Sequence, residues 1–130
     1  MSARRILSLA LLIPVAAAAI AAAPAAAFHT HLLKSSPAAN DTVAPPAAIK
    51  LWFSEKVEIG FTKVTVKDLA GIAQATGAVA YADTSADAPV VVPVTGTLAA
   101  GEYTVSWSTA AKDGHPAKGK FSFVVKAGGK

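Results

Sequence analysis

The chain contains no cysteine, and its single methionine is Met1. Disulfide stapling is therefore excluded, and so is the soft sulfur ligation that suits cuprous ion once the first residue is removed. Arginine occurs only at Arg4 and Arg5. From His29 onward ten lysines face eight carboxylates, leaving about +2 instead of the +4 of the whole chain. That bias is too weak for a nucleic-acid partner, which demands Lys and Arg clustered on one face. Beyond the first 28 residues there is also no long helical period and no internal repeat.

What is present begins with an export signal. Arg4 and Arg5 form a positive n-region, Ile6 to Ala23 is almost wholly apolar, and Ala25-Ala26-Ala27 supplies the small residues that signal peptidases favour. Residues 1–28 are expected to be cleaved and the protein to reside in the periplasm. An uncleaved anchor is the alternative, disfavoured by Pro24 and the alanine run. The paired arginines make a weak version of a twin-arginine signal. Cutting after Ala27 satisfies the small-residue rule better, whereas cutting after Phe28 makes His29 the first residue.

Residues 29–126 are expected to form one domain and 127–130 a polar, glycine-rich tail. Tyr103, Val105 and Trp107 alternate with Thr104, Ser106 and Ser108, and Phe121, Phe123 and Val125 close a second alternating run. Both read as half-buried strands. Ile49, Leu51 and Phe53 predict another strand with Trp52 on its opposite face, and Phe61 to Lys67 a fourth. Val90-Val91-Val92 is extended by β-branching, with Pro89 and Pro93 pointing to an edge or irregular strand. Lys34 to Pro46 reads as an extended arm with turns. The fold class expected is all-β, an immunoglobulin-like β-sandwich or Greek-key barrel, closed over Phe53, Val64, Val66, Tyr103, Val105, Trp107, Phe121 and Phe123.

Only three histidines occur, His29, His31 and His115, all outside the expected core. With His29 first, its α-amine and imidazole close one chelate ring on a metal. His115 adds an imidazole and Asp113 a carboxylate, an N₃O set that suits tetragonal Cu(II). A competing mode uses His31: an amino terminus, two amides and a third-position histidine chelate Cu(II) or Ni(II) locally, without a folded partner. Both modes need the cut after Phe28. The bland alternatives are a solvated terminus at His29 and His31, an ordinary Asp-Gly turn at Asp113-Gly114-His115-Pro116, and a solvated carboxylate at Glu55.

Taken together, the pattern resembles the CopC family of periplasmic copper-binding proteins, also called the CopC/YobA type. The pieces that carry the resemblance are His29-Thr30-His31-Leu32, Ser35-Ser36-Pro37-Ala38, Leu51-Trp52-Phe53-Ser54-Glu55-Lys56-Val57, Gly101-Glu102-Tyr103-Thr104-Val105 and Asp113-Gly114-His115-Pro116 followed by Gly119-Lys120-Phe121-Ser122-Phe123. The resemblance implies one Cu(II) held by the terminal His29, Asp113 and His115, with Glu55 near the site. Some family members carry a methionine-rich Cu(I) site, which this composition cannot supply. The family also implies a CopD-type membrane copper transport protein as partner.

The expected function is thus Cu(II) binding by a monomer, for copper sequestration, tolerance, homeostasis or delivery, with no catalytic turnover. Two rivals remain open at this point. One is a histidine-brace copper oxidase-like enzyme, and the other a metal-free sandwich interaction module.

Overall fold

The computed structural model describes residues 29–128. The leader, its cleavage position and the last two residues of the tail lie outside the described residues. Eight strands run in chain order: β1 (Leu32–Ser36), β2 (Thr42–Val43), β3 (Ala48–Phe53), β4 (Lys63–Asp68), β5 (Ala80–Tyr81), β6 (Val90–Pro93), β7 (Gly101–Ala110) and β8 (Pro116–Val125). A 3₁₀ turn, Ile59–Phe61, sits between β3 and β4. Among the described residues no helix is long and apolar enough to cross a membrane.

The longest pairing is the hairpin of β7 and β8, in register from Gly101 opposite Val125 to Ala110 opposite Pro116. Alternation decides which side chains it buries: Tyr103, Val105, Trp107 and Thr109 turn inward while Ser108 and Glu102 stay in water. β4 lies antiparallel along β7, and β2 runs parallel to β8, giving one sheet in the order β2-β8-β7-β4. The second sheet has the order β1-β3-β6-β5 and is antiparallel throughout. Between them lie Ile49, Leu51, Val66, Val90, Val92, Val105, Phe123 and Val125, all essentially inaccessible to solvent. Each contributes about 1.5–3 kcal/mol relative to exposure.

The expected barrel is corrected here. Among the described residues no strand pairing joins an edge of one sheet to an edge of the other, and the outer edge of β4 is met only by the segment that follows it, through a bridge of Lys67 to Ala73. The physical reason lies in the edge strands. β2 and β5 are two residues long, and β1 ends at Ser36 against Pro37, which has no amide hydrogen to extend a ladder. The architecture is two packed open sheets.

Other expectations shift in detail. β6 is an interior strand, paired on both sides with β3 and β5, because Pro93 falls at its last position and Pro89 outside it. Part of the Lys34 to Pro46 arm is strand β1, hydrogen-bonded along β3. Phe61 belongs to the 3₁₀ turn and is 70 % exposed, not a strand residue. Phe53 and Phe121 pack against the core only partly buried, Phe53 edge-on to Trp107 at 5.1 Å between centroids. Trp52 lies on the outer face, where the Lys34 ammonium of its cross-strand partner sits 4.5 Å from the ring centre.

Candidate metal centre

The hairpin connection between β7 and β8 is a tight turn. The Gly114 amide donates to the Ala111 carbonyl at 2.9 Å, and the Ala111 amide donates to the His115 carbonyl at 3.2 Å. Gly114 adopts φ +85°, a conformation that L side chains rarely take, so the turn depends on glycine there. Asp113 and His115 project from it side by side. One carboxylate oxygen accepts the His115 amide at 3.1 Å, and the other lies 2.9 Å from His115 Nδ1.

That pairing sets the tautomer. With the carboxylate ionised, Nδ1 carries the hydrogen and the Nε2 lone pair faces outward, free for a metal. The Asp113 hydrogen bond, then its charge, raises the His115 pKa above the ordinary histidine range, and the more distant Glu55 charge adds to this. In return the His115 side-chain and backbone hydrogen bonds hold the Asp113 carboxyl below the usual carboxylate range. Both side chains are solvent-exposed, at 72 % and 59 %.

The segment after β3 is fastened to the same end of the molecule. The Glu58 amide donates to the Ala110 carbonyl at 2.9 Å, and Val57 bridges to Ala111. The Tyr81 hydroxyl accepts from the Val57 amide and donates to the Val57 carbonyl, both at 2.8 Å. The buried Thr62 hydroxyl lies 2.7 Å from both the Glu58 carbonyl and the Thr109 hydroxyl. The Thr62 proton goes to that carbonyl, so Thr109 is the donor between the two hydroxyls.

The N-terminal arm then closes over this end. Thr30, only 7 % exposed, donates its hydroxyl to Glu55 Oε1 at 2.5 Å. The His31 amide donates to Ser54 Oγ at 3.0 Å, and the Ser54 amide returns a bond to the His31 carbonyl at 2.8 Å. The His29 and His115 ring centroids come to lie 6.4 Å apart, tilted by 58°. Two imidazoles on opposite sides of one ion have centroids about 6 Å apart, since each metal–nitrogen bond is about 2 Å. The spacing of the pair therefore fits a shared ion. Among the described residues no three His, Cys, Asp or Glu side chains are already gathered as a metal cluster.

His31 is placed differently. Its Nδ1 lies 3.1 Å from the His29 carbonyl, which only accepts, so that nitrogen carries the proton and has no lone pair to offer. Thr30 and Ser54 stand in the motifs that carry the resemblance but outside the expected ligand set. Thr30 between two histidines carries no signal of burial, although Ser54 beside Glu55 at a strand end marks the place where an arm can be tied.

The model of the CopC domain matches residues 32–126. The chain belongs to the CopC family. It is 40 % identical over 101 residues to protein YobA of Escherichia coli K12, covering 75 % of this chain and 79 % of YobA. Copper resistance protein C of Xanthomonas campestris pv. juglandis is 35 % identical over 126 residues, with 92 % of this chain and 96 % of that protein covered. The crystal structure of PcoC, a methionine-rich copper resistance protein from Escherichia coli, superposes with a TM-score of 0.66 at 31 % identity, over 75 % of this chain and 99 % of PcoC. The richness in methionine has no counterpart in this CopC-family chain, whose one methionine is Met1. The matched CopC domain includes Glu55, Asp113 and His115, whereas His29 and His31 precede it.

Proposed function

We propose that this CopC-family protein binds one Cu(II) in the periplasm, through the α-amine and imidazole of His29, Nε2 of His115 and the carboxylate of Asp113, which orients His115 through Nδ1 in the metal-free chain and turns from that nitrogen to the ion on binding. The observation that carries the reading is the His115 imidazole, held by Asp113 with its second nitrogen free, beside the His29 ring at 6.4 Å. Membership of a family whose relatives include copper resistance proteins supports copper as the ion. The donors are nitrogen and oxygen only, which favours Cu(II) over Cu(I).

The role is binding without turnover: sequestration of copper, or its delivery to a CopD-type membrane partner. The chain's own part in it is to order the donors. Asp113 fixes the His115 tautomer, and the arm brings residue 29 to the turn that carries Asp113 and His115. Oε1 of Glu55 accepts the Thr30 hydroxyl, which supports a place for Glu55 beside the site, with its second oxygen open to a metal.

The test is the intact mass of the exported protein with and without one equivalent of Cu(II). A mass beginning at His29 that gains one retained copper agrees with the reading. A mass beginning at Phe28, or no retained copper, overturns the terminal-amine site.

A further inference from the structure

The arm that delivers His29 also contains a second, competing set of copper donors. A chain beginning at His29 has an amine, the amide nitrogens of Thr30 and His31, and the His31 imidazole in the order that makes a local square-planar chelate for Cu(II) or Ni(II). Such a chelate needs the His31 amide nitrogen without its proton, and Nδ1 of His31 with a free lone pair.

In the folded chain neither is on offer. The His31 amide hydrogen is given to Ser54 Oγ at 3.0 Å, and the His31 carbonyl is held by the Ser54 amide at 2.8 Å. His31 Nδ1 is turned to the His29 carbonyl, 3.1 Å away within the arm itself. One residue earlier, the buried Thr30 hydroxyl is tied to Glu55. Four hydrogen bonds, three of them reaching the Ser54-Glu55 pair across more than 20 residues of sequence, thus fix the path of residues 30 and 31 beside the end of β3. A local chelate has to fold that path back around the ion. His29 lies ahead of the last tie and stays free to share a metal with His115.

We infer that Ser54 and Glu55 form a clamp on residues 30 and 31 that withholds the His31 amide from the metal, and so directs the ion to His29, Asp113 and His115. Ser54 and Glu55 are in this sense positioning residues that decide between two coordination modes. The inference rests on the metal site proposed above.

Two measurements test it on the chain beginning at His29, isolated after export. In the metal-free protein, exchange of the His31 amide is expected to be protected, and to accelerate at least tenfold in Ser54→Ala combined with Thr30→Val. Ser54→Thr, which keeps the acceptor hydroxyl, is expected to restore protection. In the second, one equivalent of Ni(II) is added. The wild-type chain is expected not to form the yellow, diamagnetic amine–amide–imidazole complex, and the double variant is expected to form it. Ser54 is exposed and Thr30→Val is nearly isosteric, so folding is checked by the cooperativity of thermal unfolding. A wild-type chain that already forms the yellow complex overturns the clamp, as does a double variant with unchanged exchange and no nickel complex. Failure of the metal site itself shows separately, as Cu(II) binding indifferent to His115→Ala, while the exchange result still judges the clamp.

Discussion

Asp113 and His115 are held across a single glycine with 2.9 Å between carboxylate and Nδ1, and that contact decides which nitrogen of the histidine faces outward. A metal-ligating histidine is commonly oriented by such an acceptor, and loss of the acceptor costs about 10–100-fold in metal affinity. Asp113→Asn is therefore expected to weaken Cu(II) binding by at least about tenfold in a competition titration. An unchanged affinity would mean that the carboxylate neither orients His115 nor touches the ion.

The same contact sets a pH dependence. The pKa of His115 is raised, so its proton persists to higher pH than on an ordinary histidine and competes with the metal there. Cu(II) affinity is expected to fall as pH drops, with an onset above the ordinary histidine range, and Asp113→Asn is expected to move that onset down. The linked effect on folding has opposite signs for the two partners. His115 contributes stability below its unfolded pKa that is lost as pH rises through the folded value, and Asp113 contributes stability above its unfolded pKa that is lost as pH falls through its lowered one. An NMR titration of the His115 ring in the metal-free protein, wild type against Asp113→Asn, checks the shift directly.

Gly119 sits opposite Trp107 in the β7–β8 ladder, and a Cβ there would lie 2.6 Å from Trp107 Cζ2. The indole is buried and packs edge-on against Phe53. Gly119→Ala is expected to destabilise the fold by about 1–3 kcal/mol, as overpacking does. Urea unfolding measures this, and a midpoint equal to wild type would show that the ring slides aside freely.

The buried Tyr103 ring stacks on Phe123, while its hydroxyl donates to the Ala99 carbonyl at 2.7 Å, tying the start of β7 to the loop before it. Tyr103→Phe keeps the stack and removes the bond, with an expected loss of about 0.5–1.5 kcal/mol. Phe123→Ala, which empties a fully buried site, is expected to cost about 3–5 kcal/mol. Equal losses in the two variants would contradict this division between core and tie.

Local alternation made much of the strand layout legible in sequence. Tyr103-Val105-Trp107 and Phe121-Phe123-Val125 mark β7 and β8 because a strand with one buried face must alternate. The edges of the sheets were not legible in that way. Closure into a barrel depends on whether β1, β2, β4 and β5 find one another, which no local pattern encodes, and Pro89 and Pro93 pointed to an edge although β6 is interior. At the candidate site, Asp113 and His115 are close in sequence and their pairing follows from a two-residue spacing. The approach of His29 to His115 and the burial of Thr30 against Glu55 are long-range consequences of β1 pairing with β3. Sequence marked those donor types without revealing the ties that hold them.

The most direct test of the central claim is a competition titration of Cu(II) against a chelator of known strength, using the chain that begins at His29 and its His115→Ala variant. The account predicts one Cu(II) per wild-type chain and an affinity at least about a hundredfold weaker in the variant, with cooperative thermal unfolding retained because His115 is exposed. Equal affinity for the two proteins would contradict it and place the copper away from the β7–β8 turn.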